Sequence, residues 1–178
     1  IPAGGGTKEL LFRFTQDLER YEEADSFEAV KRAFKVISMG TMSASALDAR
    51  RLGFLRDADR ISANRDRLLS TAKARVKELA PDHAPLPPRT IRALGNEALG
   101  NLNYAVWSMR DGGFITEHEA VIGRKIAYVL CGGDGPPRTV SEQDILDLER
   151  EAFLSLLGTT ATRDRIEPML KNGKPLRN

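Results

Sequence analysis

Cysteine is nearly missing from this chain: one thiol, Cys131, in 178 residues. One sulfur cannot close an internal disulfide, so no covalent framework holds the fold, and a reducing, cytoplasmic setting is the expectation. Histidine is almost as rare. His83 and His118 are far apart and lack companions at metal-ligand spacing, so no metal site is expected. Aromatic residues make up only 6% of the chain and are not interleaved with cations as base-stacking surfaces require. No apolar run approaches the ~18 residues that would cross a bilayer, and no secretory leader opens the sequence. Charge of one sign is lacking too. The 27 basic and 25 acidic residues leave a net charge of +2 with the signs mixed along the chain, which is not the pattern of a nucleic-acid arm. Neither nucleic acid nor membrane is therefore an expected partner.

What is present is helical periodicity. Leu10, Leu11, Phe14, Leu18 and Tyr21 share one stripe, and Phe27, Val30, Phe34 and Ile37 share another behind an Asp25–Glu28 capping signature. Ser45 and Asp48 open a short helix that Gly53 ends. Leu68, Leu69, Ala72, Val76 and Leu79 form the expected inner face of a helix whose outer face carries Arg65, Arg67, Lys73, Arg75 and Lys77. After the Pro-rich 81–88 stretch, helical spacing resumes through Leu94, Ala98, Leu102 and Val106. It continues from Thr116 to Leu130 and from Ser141 to Leu157. The predicted helices are 7–22, 26–39, 44–52, 63–80, 91–111, 116–131, 141–157 and 162–171. No segment alternates well enough to predict a strand, so an all-α fold is expected.

Several clusters invite chemistry and have plainer explanations. Glu117, His118 and Glu119 could suggest acid–base work, yet they occupy a first helical turn, where carboxylates cap and complement the dipole. The Cys131–Gly135 turn does not lie between a strand and a helix, so its glycines do not make a dinucleotide fingerprint. Glu149 and Glu151, within the C-terminal helix, are expected to be solvated charges. The opening Gly4-Gly5-Gly6 run, ahead of a helix N-terminus, makes a turn whose N–H groups favour an anion.

Ile1-Pro2-Ala3-Gly4-Gly5-Gly6-Thr7 resembles the Gly-rich stretch that borders the catalytic pocket in the enoyl-CoA hydratase (crotonase) family. Ala46 to Leu55 is similar to that family's helix-turn-helix, and the region from Glu149 to Pro175 to its ending. Ser141 to Leu156 and Gly173-Lys174-Pro175-Leu176-Arg177-Asn178 resemble one branch more closely. This is the two-module 3-hydroxyacyl-CoA dehydrogenases, with an NAD-binding module first and a crotonase module last. The resemblance implies hydration of an enoyl-CoA by paired glutamates and an oxyanion hole, and NAD as cofactor of the upstream module. None of that machinery matches residues of this chain, which carries no cofactor of its own. As given, the chain is expected to be the helical C-terminal part of a crotonase-type α/β module whose β-rich core is missing, and to be catalytically inactive.

Transferred residue by residue, the resemblance implies substrate contact at Ala3 and Gly4. The family's last helix offers an aromatic and a lysine to coenzyme A; those places fall near Met169 and Asn172 here, which leaves Lys171 and Lys174 as neighbouring cations. The expected organisation is 1–80, the end of the crotonase core and a first helical layer; 81–88, a linker; and 89–178, a helical association region. The acyl-CoA substrate of the intact enzyme is the implied ligand, and self-association is expected through helices apolar on two sides, such as Ile145–Leu157. The rivals are a free-standing helical interaction protein and, from the sequence pI near 8.8, a helical nucleic-acid binder.

Overall fold

A computed structural model describes residues 4–18, 21, 23–174 and 176–178. Eight α-helices appear among them: α1 (Gly6–Leu18), α2 (Ser26–Ser38), α3 (Ala46–Arg51), α4 (Leu68–Leu79), α5 (Gly95–Asp111), α6 (Glu117–Leu130), α7 (Glu142–Leu157) and α8 (Thr160–Asn172). The chain forms two compact units: 1–41 together with 89–178, and 42–88.

The fold is mostly helical but not all-α. Thr90–Ala93 (β1) and Arg138–Ser141 (β2) pair antiparallel, with Ile91 opposite Val140 and Ala93 opposite Arg138. β1 lies where a helix from residue 91 was expected. Ile91 and Ala93 point into the core and Thr90 and Arg92 out, which is strand alternation, but four residues give too short a record to register as period two. The partner strand lies more than forty residues away, so no hairpin turn signals the pair either.

In the first unit, α1 packs on α2, α6 and α7, and α6 also packs on α5, α2 and α7. Leu11, Phe12, Ile126, Leu130, Ile145, Leu156 and Val140 form the centre and are almost fully buried. The expected α1 stripe is correct at Leu10, Leu11 and Phe14. Tyr21, expected on the same stripe, is exposed beyond the end of the helix, and Phe12, off the stripe, is completely buried. Three neighbours around α1 explain this, since they bury a wider arc than one stripe.

Capping chemistry sets the boundaries. Thr116 with Glu119 and Ser141 with Asp144 form reciprocal capping boxes, and Asp25 and Ser45 cap α2 and α3. At α8 the cap is Thr159, so this helix starts two residues earlier than expected. Between α6 and β2 the chain turns at Gly132, whose φ is 81° and where an added Cβ would stand 2.4 Å from the Ala93 Cβ. The turn is tied to the head of α5: the Gly95 N–H donates to Cys131 O at 3.0 Å and the Asn96 N–H to Gly135 O at 2.8 Å. Cys131 beside it is fully buried, and burial pushes its thiol up to about 12.

In the second unit α3 buries Ala49, and α4 buries nothing. Leu68, Leu69, Val76 and Leu79, the expected inner face, are exposed by half or more. The periodicity predicted the helix, but the second unit by itself supplies no layer against that stripe. Among the described residues no helix is long and apolar enough to cross a membrane.

Candidate functional site

The Gly-rich turn ahead of α1 was expected to favour an anion, and the anion it holds comes from its own chain. Glu149, from the middle of α7, is 3% exposed. Its Oε2 accepts from the Gly5 N–H at 2.9 Å and its Oε1 from the Thr7 N–H at 3.3 Å. Gly5 holds a φ of 89° to aim its N–H there. A buried carboxylate on two main-chain donors at a helix N-terminus joins charge-assisted hydrogen bonding to the helix dipole. Glu149 is thus not the solvated charge expected within the C-terminal helix but a buried carboxylate that caps a helix far away in sequence. One sequence signal could have found it: Ile145, Glu149, Ala152 and Leu156 are spaced to lie on a single helical face, which places this carboxylate at the centre of the apolar stripe.

A second polar layer flanks the turn. Arg89, at the start of the returning chain, pairs with Glu142 and lies 2.8 Å from Glu9, while Lys8 reaches Glu9 at 3.1 Å and Glu142 at 2.9 Å. Arg13 joins Glu9 at 2.9 Å. The Arg89 guanidinium also lies over the Phe12 ring at 5.2 Å. Burial alone would raise Glu9, but hydrogen bonds from Arg89, Arg13 and Lys8 outweigh it and hold the carboxyl at about 2. Arg89, then Lys8, hold Glu142 at about 2 as well. Carboxylates so depressed stay ionised at neutral pH and are poor proton donors. The arrangement binds chain to chain and offers no general acid.

The Glu117–His118–Glu119 cluster also serves structure. Glu119 closes the capping box and accepts from Arg177 at 2.9 Å, which lowers its pKa. His118 Nε2 lies 2.9 Å from the Thr162 hydroxyl, and burial, with Arg165 nearby, lowers its pKa. Arg165 also donates to the Asn178 side chain and main-chain oxygen at 2.6 and 2.8 Å. Among the described residues no group of His, Cys, Asp and Glu could hold a metal.

Of the residues expected to contact substrate, Ala3 lies outside the described residues. Gly4 is exposed at the head of α1, next to the donors that Glu149 occupies. Lys171 is exposed near the end of α8, pairs with Glu167, and lines a shallow groove of about 280 Å³ with Arg163, Ile166 and Leu170. Lys174 is exposed just past that helix. Gly4 and the lysines thus lie at the ends of different helices. The residues do not fit NAD: the Gly132–Gly135 turn follows a helix and precedes a strand, the reverse of a phosphate-binding strand–turn–helix. No step through NAD is assigned to this chain.

Fold and site together describe a mostly helical section with a two-stranded sheet, a turn closed by an internal carboxylate, and one helix left without cover. No protein-family model matches the chain, and no solved structure matches it. A probable 3-hydroxyacyl-CoA dehydrogenase of Bacillus subtilis (strain 168) is 40% identical over 181 residues, an alignment that covers all of this chain and 22% of that protein. The chain therefore spans about a fifth of the length of this relative.

Proposed function

We propose that this chain is the helical C-terminal section of a fatty-acid β-oxidation enzyme, a 3-hydroxyacyl-CoA dehydrogenase carrying an enoyl-CoA hydratase module. In this reading it supplies pocket lid and subunit packing but no catalytic group. The observation that carries it is the end-to-end 40% identity to the Bacillus dehydrogenase, of which the alignment takes up only 22%. The uncovered α4 stripe supports it from the structural side. A helix of 12 residues is marginal in water without tertiary packing, so Leu68, Leu69, Val76 and Leu79 would find their cover in the rest of the enzyme.

The roles of individual residues follow from that reading. Glu149 fixes the turn at Gly5 and Thr7, and so presents Gly4 at the border of the acyl-CoA pocket. Lys171 and Lys174 lie where cations could meet the phosphates of coenzyme A. NAD would belong to the dehydrogenase module of the intact enzyme and to no residue of this chain.

The test compares the intact enzyme with the chain alone. The intact enzyme should reduce NAD with a 3-hydroxyacyl-CoA and bleach the conjugated thioester band of crotonyl-CoA; the chain alone should do neither. Amide exchange in α4 should be slow in the intact enzyme and fast in the chain alone. An intact enzyme without either activity refutes the assignment, and turnover by the chain alone refutes the non-catalytic role.

A further inference from the structure

The chain has six asparagines, and the fold treats one of them differently from the rest. Asn64 accepts from the Asp66 N–H and Asn96 from the Gly135 N–H, each at 2.9 Å. Asn101 donates to Glu97 O at 3.1 Å, and Asn178 donates to Ala161 O and accepts from Arg165. Asn103 lies half-buried inside α5 with its side-chain oxygen enclosed. Asn172 is exposed, and among the described residues its side-chain amide has no hydrogen-bond partner. It is also the only asparagine followed by glycine. The pair sits at a helix end. Asn172 is the last residue of α8, and Gly173 caps it at a φ of 64°. The Gly173 N–H donates to Met169 O at 3.0 Å. Met169, Leu170, Lys171 and Asn172 are all exposed, and a terminal turn without cover opens at small cost.

We propose that Asn172–Gly173 is a site of spontaneous covalent modification, at which Asn172 loses its amide nitrogen through a cyclic imide and becomes aspartate or isoaspartate. When the last turn opens, hydroxide or a buffer base takes the Gly173 N–H proton, and the nitrogen attacks Asn172 Cγ. The N–Cγ bond forms, the Cγ–Nδ2 bond breaks, and the departing nitrogen takes up a proton and leaves as ammonia. Water then opens the five-membered ring. Its oxygen joins one ring carbonyl and a proton returns to the Gly173 nitrogen. Opening at Cγ gives aspartate; opening at the main-chain carbonyl gives isoaspartate. One water is consumed and one ammonia released, with no oxidant, reductant or cofactor.

Glycine is what leaves the nitrogen open, since a Cβ at this position would crowd the attack and restrict the backbone that must turn. Asp111–Gly112 and Asp134–Gly135 share the glycine but carry a carboxylate in place of the amide, which a nitrogen nucleophile attacks far less readily. Inside α5, helical geometry holds Asn96, Asn101 and Asn103 away from ring closure. The product changes its surroundings. It sets a negative charge between Lys171 and Lys174, lowers the net charge of +2 by one, and places an anion at a helix C-terminus, where the dipole opposes it. Isoaspartate also adds a methylene to the main chain at the cap, which breaks the register of the Gly173 N–H with Met169 O. The modification is independent of the enzymatic reading; only its further consequence, repulsion of coenzyme A phosphates at Lys171 and Lys174, rests on that reading.

The test is to keep the full 178-residue chain folded at mildly alkaline pH for several weeks and to map its peptides by mass spectrometry. The amide-to-acid mass gain should appear at residue 172 before any other asparagine, with isoaspartate the main product, and faster as pH rises. Conversion should run about tenfold slower than in the urea-unfolded chain, roughly the worth of the one hydrogen bond that must open. Asn172→Gln should abolish the early mass gain. Gly173→Ala, measured in the unfolded chain where its strain is absent, should slow conversion about tenfold or more by crowding the nitrogen. A folded chain that keeps its amide at 172 while the unfolded chain converts would overturn the proposal. So would earlier conversion at another asparagine, undiminished conversion in Asn172→Gln, or a rate indifferent to Gly173→Ala.

Discussion

Glu149 makes the most direct claim on stability. Glu149→Ala removes the acceptor for two main-chain donors, Gly5 N–H and Thr7 N–H, at the head of α1. Each donor left buried and unpaired costs about 1–3 kcal/mol, and loss of a charge at a helix N-terminus costs up to ~2 kcal/mol in a partly buried site. Gly5 is only half-buried, so water recovers part of its share. The expected total is about 2–4 kcal/mol, a large fraction of the ~5–15 kcal/mol that holds an ordinary domain together. Glu149→Gln keeps one acceptor oxygen and loses the charge, so about 1–2 kcal/mol is expected. The single tryptophan, Trp107, lies in the same unit as Glu149, so urea unfolding followed by its fluorescence reads the right transition. The midpoint should fall in the order native, Gln, Ala, with an unchanged denaturant slope. If the alanine variant lost less than about 0.5 kcal/mol, the two N–H groups would be hydrated rather than orphaned, and the account of a turn closed by its own carboxylate would fail.

Three further outcomes follow from the same unit. The Thr7 hydroxyl is buried with no hydrogen-bond partner among the described residues, so Thr7→Val should be neutral or stabilising by up to about 1 kcal/mol in the same unfolding assay. Glu9 and Glu142 are held at about 2, below their unfolded values near 4.5. The unfolded chain therefore takes up protons first as pH falls: the stabilisation is complete above about 4.5 and is lost towards 2, at about 1 kcal/mol per carboxylate after solvent screening. Arg89→Ala should flatten that acid limb in a pH series of urea midpoints. Gly132→Ala would force a side chain into φ 81° and against the Ala93 Cβ, and should cost several kcal/mol, read as a fall in melting temperature of about 5 °C or more.

Most helices are legible in the sequence because their information is local. A cap such as Thr116 or Ser141, followed by apolar residues at 3.6 spacing, needs no knowledge of the rest of the chain. What reading missed is non-local. The β1–β2 pair depends on residues more than forty positions apart, and each strand is too short to show a period. Phe12 is buried because three helices surround α1, a number that one helix's sequence does not record. The anion-favouring turn is legible from its glycines, but the identity of its anion is not, since Glu149 reaches it across more than 140 residues. The clue was the conflict itself: a carboxylate centred on an apolar stripe must have a partner, because an unpaired buried charge is too costly to keep.

Helices α4 and α7 show what periodicity can and cannot tell. Both were predicted from apolar stripes. α7, expected to need outside cover, has Ile145, Ala152 and Leu156 buried and Leu146, Phe153 and Leu157 half-buried, with Leu154 left in water. α4, expected to face inward, has its whole stripe exposed. A stripe records only that a face is to be covered; what covers it is a property of the assembly. Self-association was therefore inferred from a helix that its own unit already packs on two sides. The exposed surface lies elsewhere, on the α4 stripe and the α5 rings, and the two differ in kind. The α4 face has a cationic border that opposes pairing with itself, as a surface meant for a different partner would. The α5 face carries the stacked Tyr104 and Trp107 rings beside the open Gly100 position, and its exposed charges, Glu97 and Asp111, are both acidic. Electrostatics at a rim select partners more than they strengthen binding, so the border charges discriminate between these two faces where apolar content does not.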